Sequence, residues 1–157
     1  MTPEEIISLL NLKPMPGEGG YYRETYRSPA LLEDGRNLAT AIYYMMTARE
    51  FSALHRIPQD EIFHFYLGDQ VRLVQIDGDG RLTETMLGPD LGRGWSLQAL
   101  VPGGVWQGLR VAPGGGWALL GTQVFPGFDF KDFETADRGA LMRAYPHLKD
   151  VIIEFTR

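Results

Sequence analysis

Residues 52–68 read SALHRIPQDEIFHFYLG, and this stretch decides the reading of the chain. It sets His55, Glu61 and His64 among apolar, strand-forming residues, and only one other histidine, His147, occurs anywhere. Pro58-Gln59-Asp60 marks a turn, so Phe51–Ile57 and Glu61–Leu67 are expected as successive strands. Side chains alternate across a strand, which puts Glu61, Phe63 and Phe65 on one face of the second strand. Ile62, His64 and Tyr66 take the other, and only a bulge would bring His64 round to join Glu61.

The flanking sequence continues the pattern. Gly20–Arg27 alternates, with Tyr22, Glu24 and Tyr26 on one face and Tyr21, Arg23 and Thr25 on the other. Leu38–Met46 is apolar enough for a strand buried on both sides or lying in a subunit interface. Gln70–Ile76 and Arg81–Leu87 flank Asp77-Gly-Asp-Gly80, a hairpin signal. Ser96–Val101, Val105–Val111 and Trp117–Phe125 follow, separated by glycine- and proline-rich turns. About nine or ten short strands at this spacing define an all-β sandwich or barrel. A short helix is expected at each end. Thr2-Pro3-Glu4-Glu5 is a capping box opening a helix to about Asn11, with Ile6, Leu9 and Leu10 as its apolar stripe. Asp137–Ala144 makes another, stopped by Pro146. Val151–Phe155 fits either a strand or a helix.

Composition narrows the function. The 157 residues, 44% hydrophobic and 22% charged, suit one domain, 1–157, with a core of its own. A net charge of −5 with scattered basic residues argues against a nucleic-acid face or a polybasic membrane patch. Without cysteine there is neither a disulfide framework nor thiolate chemistry. The acidic start and the lack of any run near the ~20 apolar residues of a membrane span lead us to expect a soluble, cytoplasmic protein.

Two segments then resemble a known family. His55-x-Ile57-xxx-Glu61-xxxxxx-Gly68 resembles the first cupin motif, and Pro102-x-Gly104-xx-Gln107 the second. Further likeness in Gly20–Thr25, Val101–Gln107 and Pro126-Gly-Phe-Asp-Phe130 points to the small stand-alone cupins of uncharacterised function, often called cupin family five. That resemblance implies a double-stranded β-helix, the cupin jelly roll, with a pocket inside the barrel and usually a homodimer. Cupin metal sites typically use three histidines and a glutamate. Here Ile57 and Gln107 stand in two of the histidine places, so no metal or other cofactor is expected.

The leading expectation is a cupin that binds a small polar ligand, a sugar or sugar derivative. His55, Glu61 and Gln107 would line its pocket with Arg23, and Tyr21 and Phe63 would form apolar walls. His64 divides evenly between the pocket and a dimer face, whereas Trp106 is expected in core or interface packing. The alternative is a metal-independent isomerase or epimerase in the same pocket. His55 would be the base, Glu61 its orienter, and Tyr21, Tyr44 or Tyr66 the acid. A metal-dependent enzyme and a purely structural barrel are the remaining readings.

Overall fold

The computed structural model describes residues 1–157. Eleven strands form two antiparallel sheets whose inner faces share a core. The first sheet has the order β1 (Lys13–Pro14), β2 (Tyr21–Arg27), β3 (Thr40–Thr47), β10 (Trp117–Phe125), β5 (Asp60–Gly68), β8 (Gln98–Val101). The second runs β11 (Glu134–Thr135), β4 (Ser52–Arg56), β9 (Trp106–Val111), β6 (Val71–Ile76), β7 (Leu82–Leu87). β4 and β5 are neighbours in sequence but lie in opposite sheets, and the Pro58–Asp60 turn carries the chain across. This is the jelly-roll arrangement, in which the first motif contributes one side chain to each sheet.

Between the sheets, Tyr44, Met46, Phe63, Leu73, Leu109 and Leu120 pack as fully buried side chains. They come from alternate positions, as a half-buried strand requires. The outer faces are covered locally. Helix α1 (Pro3–Leu9) has the expected capping box, Thr2 Oγ1 accepting from Glu5 N while Glu5 reaches back to Thr2 N. Its Ile6 closes a cluster with Leu12, Met45 and Leu119 on the outside of the six-stranded sheet. Leu9, assigned to that apolar stripe, faces solvent instead.

Helices α2 (Arg138–Ala144) and α3 (Lys149–Glu154) cover the outside of the other sheet, burying Leu54, Val74, Ile76 and Trp106 under Leu141, Ile152 and Phe155. The terminal apolar segment is therefore a helix. Trp106 is a packing residue, with the Arg56 guanidinium 4.4 Å from its ring centroid. No helix is long and apolar enough to cross a membrane.

Two turns bring the motifs together. Gly104 N donates to Ile57 O and Gly103 N to Asp60 Oδ1. A Cβ at Gly103 would overlap the carbonyl of Pro58, so the close approach of the two turns requires glycine there.

Candidate functional site

A cavity of about 710 Å³ opens between the sheets at the end where the two motifs meet. His55, on β4, faces into it and is 3% exposed. Its Nδ1 lies 2.8 Å from Ala53 O. A carbonyl can only accept, so Nδ1 carries the proton and, in the neutral ring, the lone pair sits on Nε2. Phe133 stacks on the imidazole with centroids 4.9 Å apart. Thus Ala53 and Phe133 orient the ring. Glu61 was expected in that role and makes no hydrogen bond to it.

Glu61 enters from β5 and its Oε2 accepts from Gln107 Nε2 at 2.8 Å. Both residues are buried. Gln107 sits directly across from His55 in the β4–β9 register, yet it stands behind Glu61 and does not line the cavity. Its Oε1 has no partner. Burial raises the Glu61 carboxyl from its ordinary 4.5 to about 7. The nearby His55 and hydrogen bonds from Gln107 and Thr122 oppose that rise, and the charge of Glu18 adds to it.

Glu18 is the residue that sequence reasoning missed. It sits in the strap between β1 and β2, in the run Pro16-Gly-Glu-Gly-Gly20, and is 8% exposed. Its Oε1 accepts from the buried Ser52 Oγ at 2.5 Å. Arg157 Nη1 donates to the Glu18 carbonyl, and Tyr44 Oη to that of Gly19. Burial and the Glu18 charge hold the Tyr44 hydroxyl well above its usual value, so it stays protonated. An acidic residue isolated among glycines was the available signal.

The remaining predicted residues divide by strand face. Phe63 is buried and lines the cavity. Tyr21 does not. It pairs with Met45 on the outer face and packs against the α1 cluster. Arg23 borders the cavity, but its register partner is Tyr43 and its guanidinium lies 5.4 Å from that ring, on the outer face. Arg23, expected to line the pocket, therefore borders it with its guanidinium turned to the outer face, and its Nε is buried without a partner. His64 also points outward, accepting at Nδ1 from Gln98 and stacking with Tyr66. The bulge in β5 falls after His64, where Tyr66 folds over Gly121, so it does not turn the histidine inward. Of the three tyrosines weighed as an acid, Tyr44 alone faces the cavity.

Aromatic residues after β10 form the rim. Phe128, Phe130 and Phe133 line the cavity mouth, and an ion pair anchors their loop. Arg36 Nη1 meets Asp132 Oδ2 at 2.6 Å, and Gln59 Nε2 donates to the same oxygen. Asp132→Ala would leave Arg36 and Gln59 without this partner, at an expected cost of about 2 kcal/mol in urea denaturation. Limited proteolysis should then cut within residues 126–133; an uncut loop would show that the ion pair does not anchor it.

The residues present do not fit a transition-metal ion. Ile57 offers no donor atom, Gln107 stands behind Glu61 and does not line the cavity, and no three His, Asp or Glu side chains are grouped to hold a metal ion. His55 and Glu61 alone are too few ligands for a stable site.

The two facing sheets, the paired motif turns and the enclosed cavity define a cupin. More narrowly, the chain belongs to the family described as Cupin superfamily (DUF985), which matches residues 4–136. Protein SO0799 from Shewanella oneidensis superposes with a TM-score of 0.94 at 36% identity, covering 100% of this chain and 98% of that one. A hypothetical protein from Leishmania major superposes at 0.92 with 35% identity, covering 99% of each. The uncharacterised Saccharomyces cerevisiae protein YML079W is 31% identical over an alignment 132 positions long, with 73% of this chain and 66% of that protein's length covered. Oxalate decarboxylase from Bacillus subtilis matches at a TM-score of 0.59 and 14% identity, over 92% of this chain and 37% of that one, a likeness of fold alone.

Proposed function

We propose that this cupin binds a small polar ligand, a sugar or sugar derivative, inside the barrel. The observation that carries the reading is the composition of the cavity: buried hydrogen-bonding groups at its floor and aromatic rings along its walls and rim. Sugars present the matching surfaces, hydroxyls for directional hydrogen bonds and C–H faces for aromatic rings. Thermal denaturation against a monosaccharide panel tests this. At least one member is expected to raise the midpoint of the parent, by about 3 kcal/mol of stabilisation at a hundredfold excess over Kd, and to lose that effect in His55→Ala. No shift with any saccharide would overturn the carbohydrate reading.

A second reading is metal-independent isomerisation or epimerisation, and the His55 tautomer favours it. With Nδ1–H held by Ala53 O, the Nε2 lone pair can take a proton from carbon next to a carbonyl. A Glu61 that is protonated near neutrality can return one to the other end of the enediolate. Keto-sugars incubated in deuterated water should take up label, and uptake should vanish in His55→Ala. Absence of exchange leaves binding as the function.

A further inference from the structure

The floor of the cavity is rich in acceptors and poor in donors. The Glu18 carboxylate accepts at Oε1 from the Ser52 hydroxyl. His55 is 3% exposed, lines the cavity, and has its only hydrogen bond at Nδ1, which leaves Nε2 unpartnered. Behind Glu61, Gln107 Oε1 is a further buried acceptor without a donor. Two donors near the floor are already engaged, the Tyr44 hydroxyl by Gly19 O and the Gln107 amide by Glu61.

No cation reaches this floor. The Arg27 guanidinium is taken up at the rim by Glu24, Asn37 and the Phe128 carbonyl. The Lys13 ammonium stands 5.2 Å from the Tyr22 ring, and Arg23 lies on the outer face of the sheet. Glu18 and Glu61 therefore face one cavity with no Lys or Arg ion-paired to either, and the charge of Glu18 raises the Glu61 carboxyl. A carboxylate or phosphate ligand would bring further negative charge beside Glu18 into a low-dielectric space, and beside Glu61 wherever it has lost its proton. A cationic head group would relieve the repulsion, fill the empty acceptors and lie beside the π faces of Phe63 and Phe133.

We propose that the cavity floor is a receptor for an ammonium group, held between Glu18 and Glu61 with His55 Nε2 as a third acceptor, so that the ligand is an amine. This rests on the small-ligand reading above and narrows it to amine-bearing molecules, amino sugars among them. Ammonium supplies three N–H donors in a compact head, which suits acceptors on three residues lining one cavity. Glu18 becomes a specificity-determining residue, and the glycine-rich strap that carries it becomes part of the binding site.

Two matched series separate this proposal from the carbohydrate reading: glucosamine, glucose and glucuronate, and benzylamine, benzyl alcohol and benzoate. Affinities are measured by calorimetry at neutral pH. In whichever series binds, the amine is expected to lead the alcohol by at least tenfold and the acid to be weakest. Amine preference in the benzyl series with no sugar bound sustains the proposal and defeats the carbohydrate reading. An amine with no advantage, a leading acid, or no amine bound at all overturns the proposal. The isosteric double variant Glu18→Gln/Glu61→Gln should lose the preference, whereas Glu33→Gln on the exposed surface should keep it. Loss in both would reduce the effect to net charge and sink the assignment. Should the double variant fail to fold, the parent crystal soaked with benzylamine decides. The nitrogen is expected within hydrogen-bond distance of both carboxylates, and a nitrogen seated elsewhere refutes the site.

Discussion

Replacing Glu61 with Gln is expected to leave stability near pH 4 almost unchanged and to raise it at pH 8 by roughly 3 kcal/mol. The folded protein keeps the Glu61 proton up to about pH 7, whereas the ordinary value is 4.5. Between these values the folded state binds a proton that the unfolded state has released. Stability therefore falls as pH rises across that window, and above it the protein carries a buried carboxylate. Gln cannot ionise and still presents a carbonyl to the Gln107 amide, so the variant escapes the fall.

Asp132, Asp129 and Glu84 have the opposite sign, because ion pairs and hydrogen bonds hold their carboxyls below the usual range. They are present in both proteins, and their contribution cancels in the difference. Urea midpoints of parent and variant, compared from pH 4 to 8, measure it directly. A difference that stays flat with pH would show that Glu61 is ionised in the fold throughout.

The second large effect is expected at Gly19. Its φ of +104° lies where side-chain-bearing residues are strained, and a Cβ there would overlap the Phe51 carbonyl and the Arg157 guanidinium. Backbone strain and overpacking together put the cost of Gly19→Ala at roughly 2–4 kcal/mol. The local consequence matters more. The strap is caught at two successive carbonyls, Glu18 by Arg157 and by Ala53 N, Gly19 by Tyr44. Shifting it withdraws the Glu18 carboxylate from the cavity. Adding Arg157→Ala removes one of the two overlaps, so the double variant should recover part of the stability and not all of it. Parental stability in Gly19→Ala would mean that the strap moves freely and does not position Glu18.

The sequence made the frame of the site legible because its strongest signals are local. Rare titratable residues on alternating strands placed His55 and Glu61, while parity along β5 set His64 on the face opposite Glu61 without deciding between the pocket and a dimer face. Parity along β2 was of less use. Tyr22 and Glu24 alternate with Tyr21 and Arg23, both sets mix aromatic with charged residues, and nothing within the strand says which set faces inward. The neighbours decide: α1 covers Tyr21, and Tyr43 receives Arg23. Gln107 was found by its place in the second motif, but its position behind Glu61 depends on how the two sheets pack. Glu18 escaped because its location depends on Ser52, Tyr44 and Arg157, each distant in sequence. No local pattern encodes such a meeting.

That meeting has a kinetic side. The bond from Arg157 to the Glu18 carbonyl closes a separation of 139 residues, and Glu18 in turn is fixed to Ser52 of the other sheet and lines the same cavity as Glu61. Contacts of such long range carry a large loop-closure cost and form after the local hairpins have been ordered. The floor of the cavity is consequently a late product of folding, absent while the barrel is still assembling. Whatever occupies it then acts on the finished protein alone, slowing the escape from the native state while leaving the rate of reaching it unchanged.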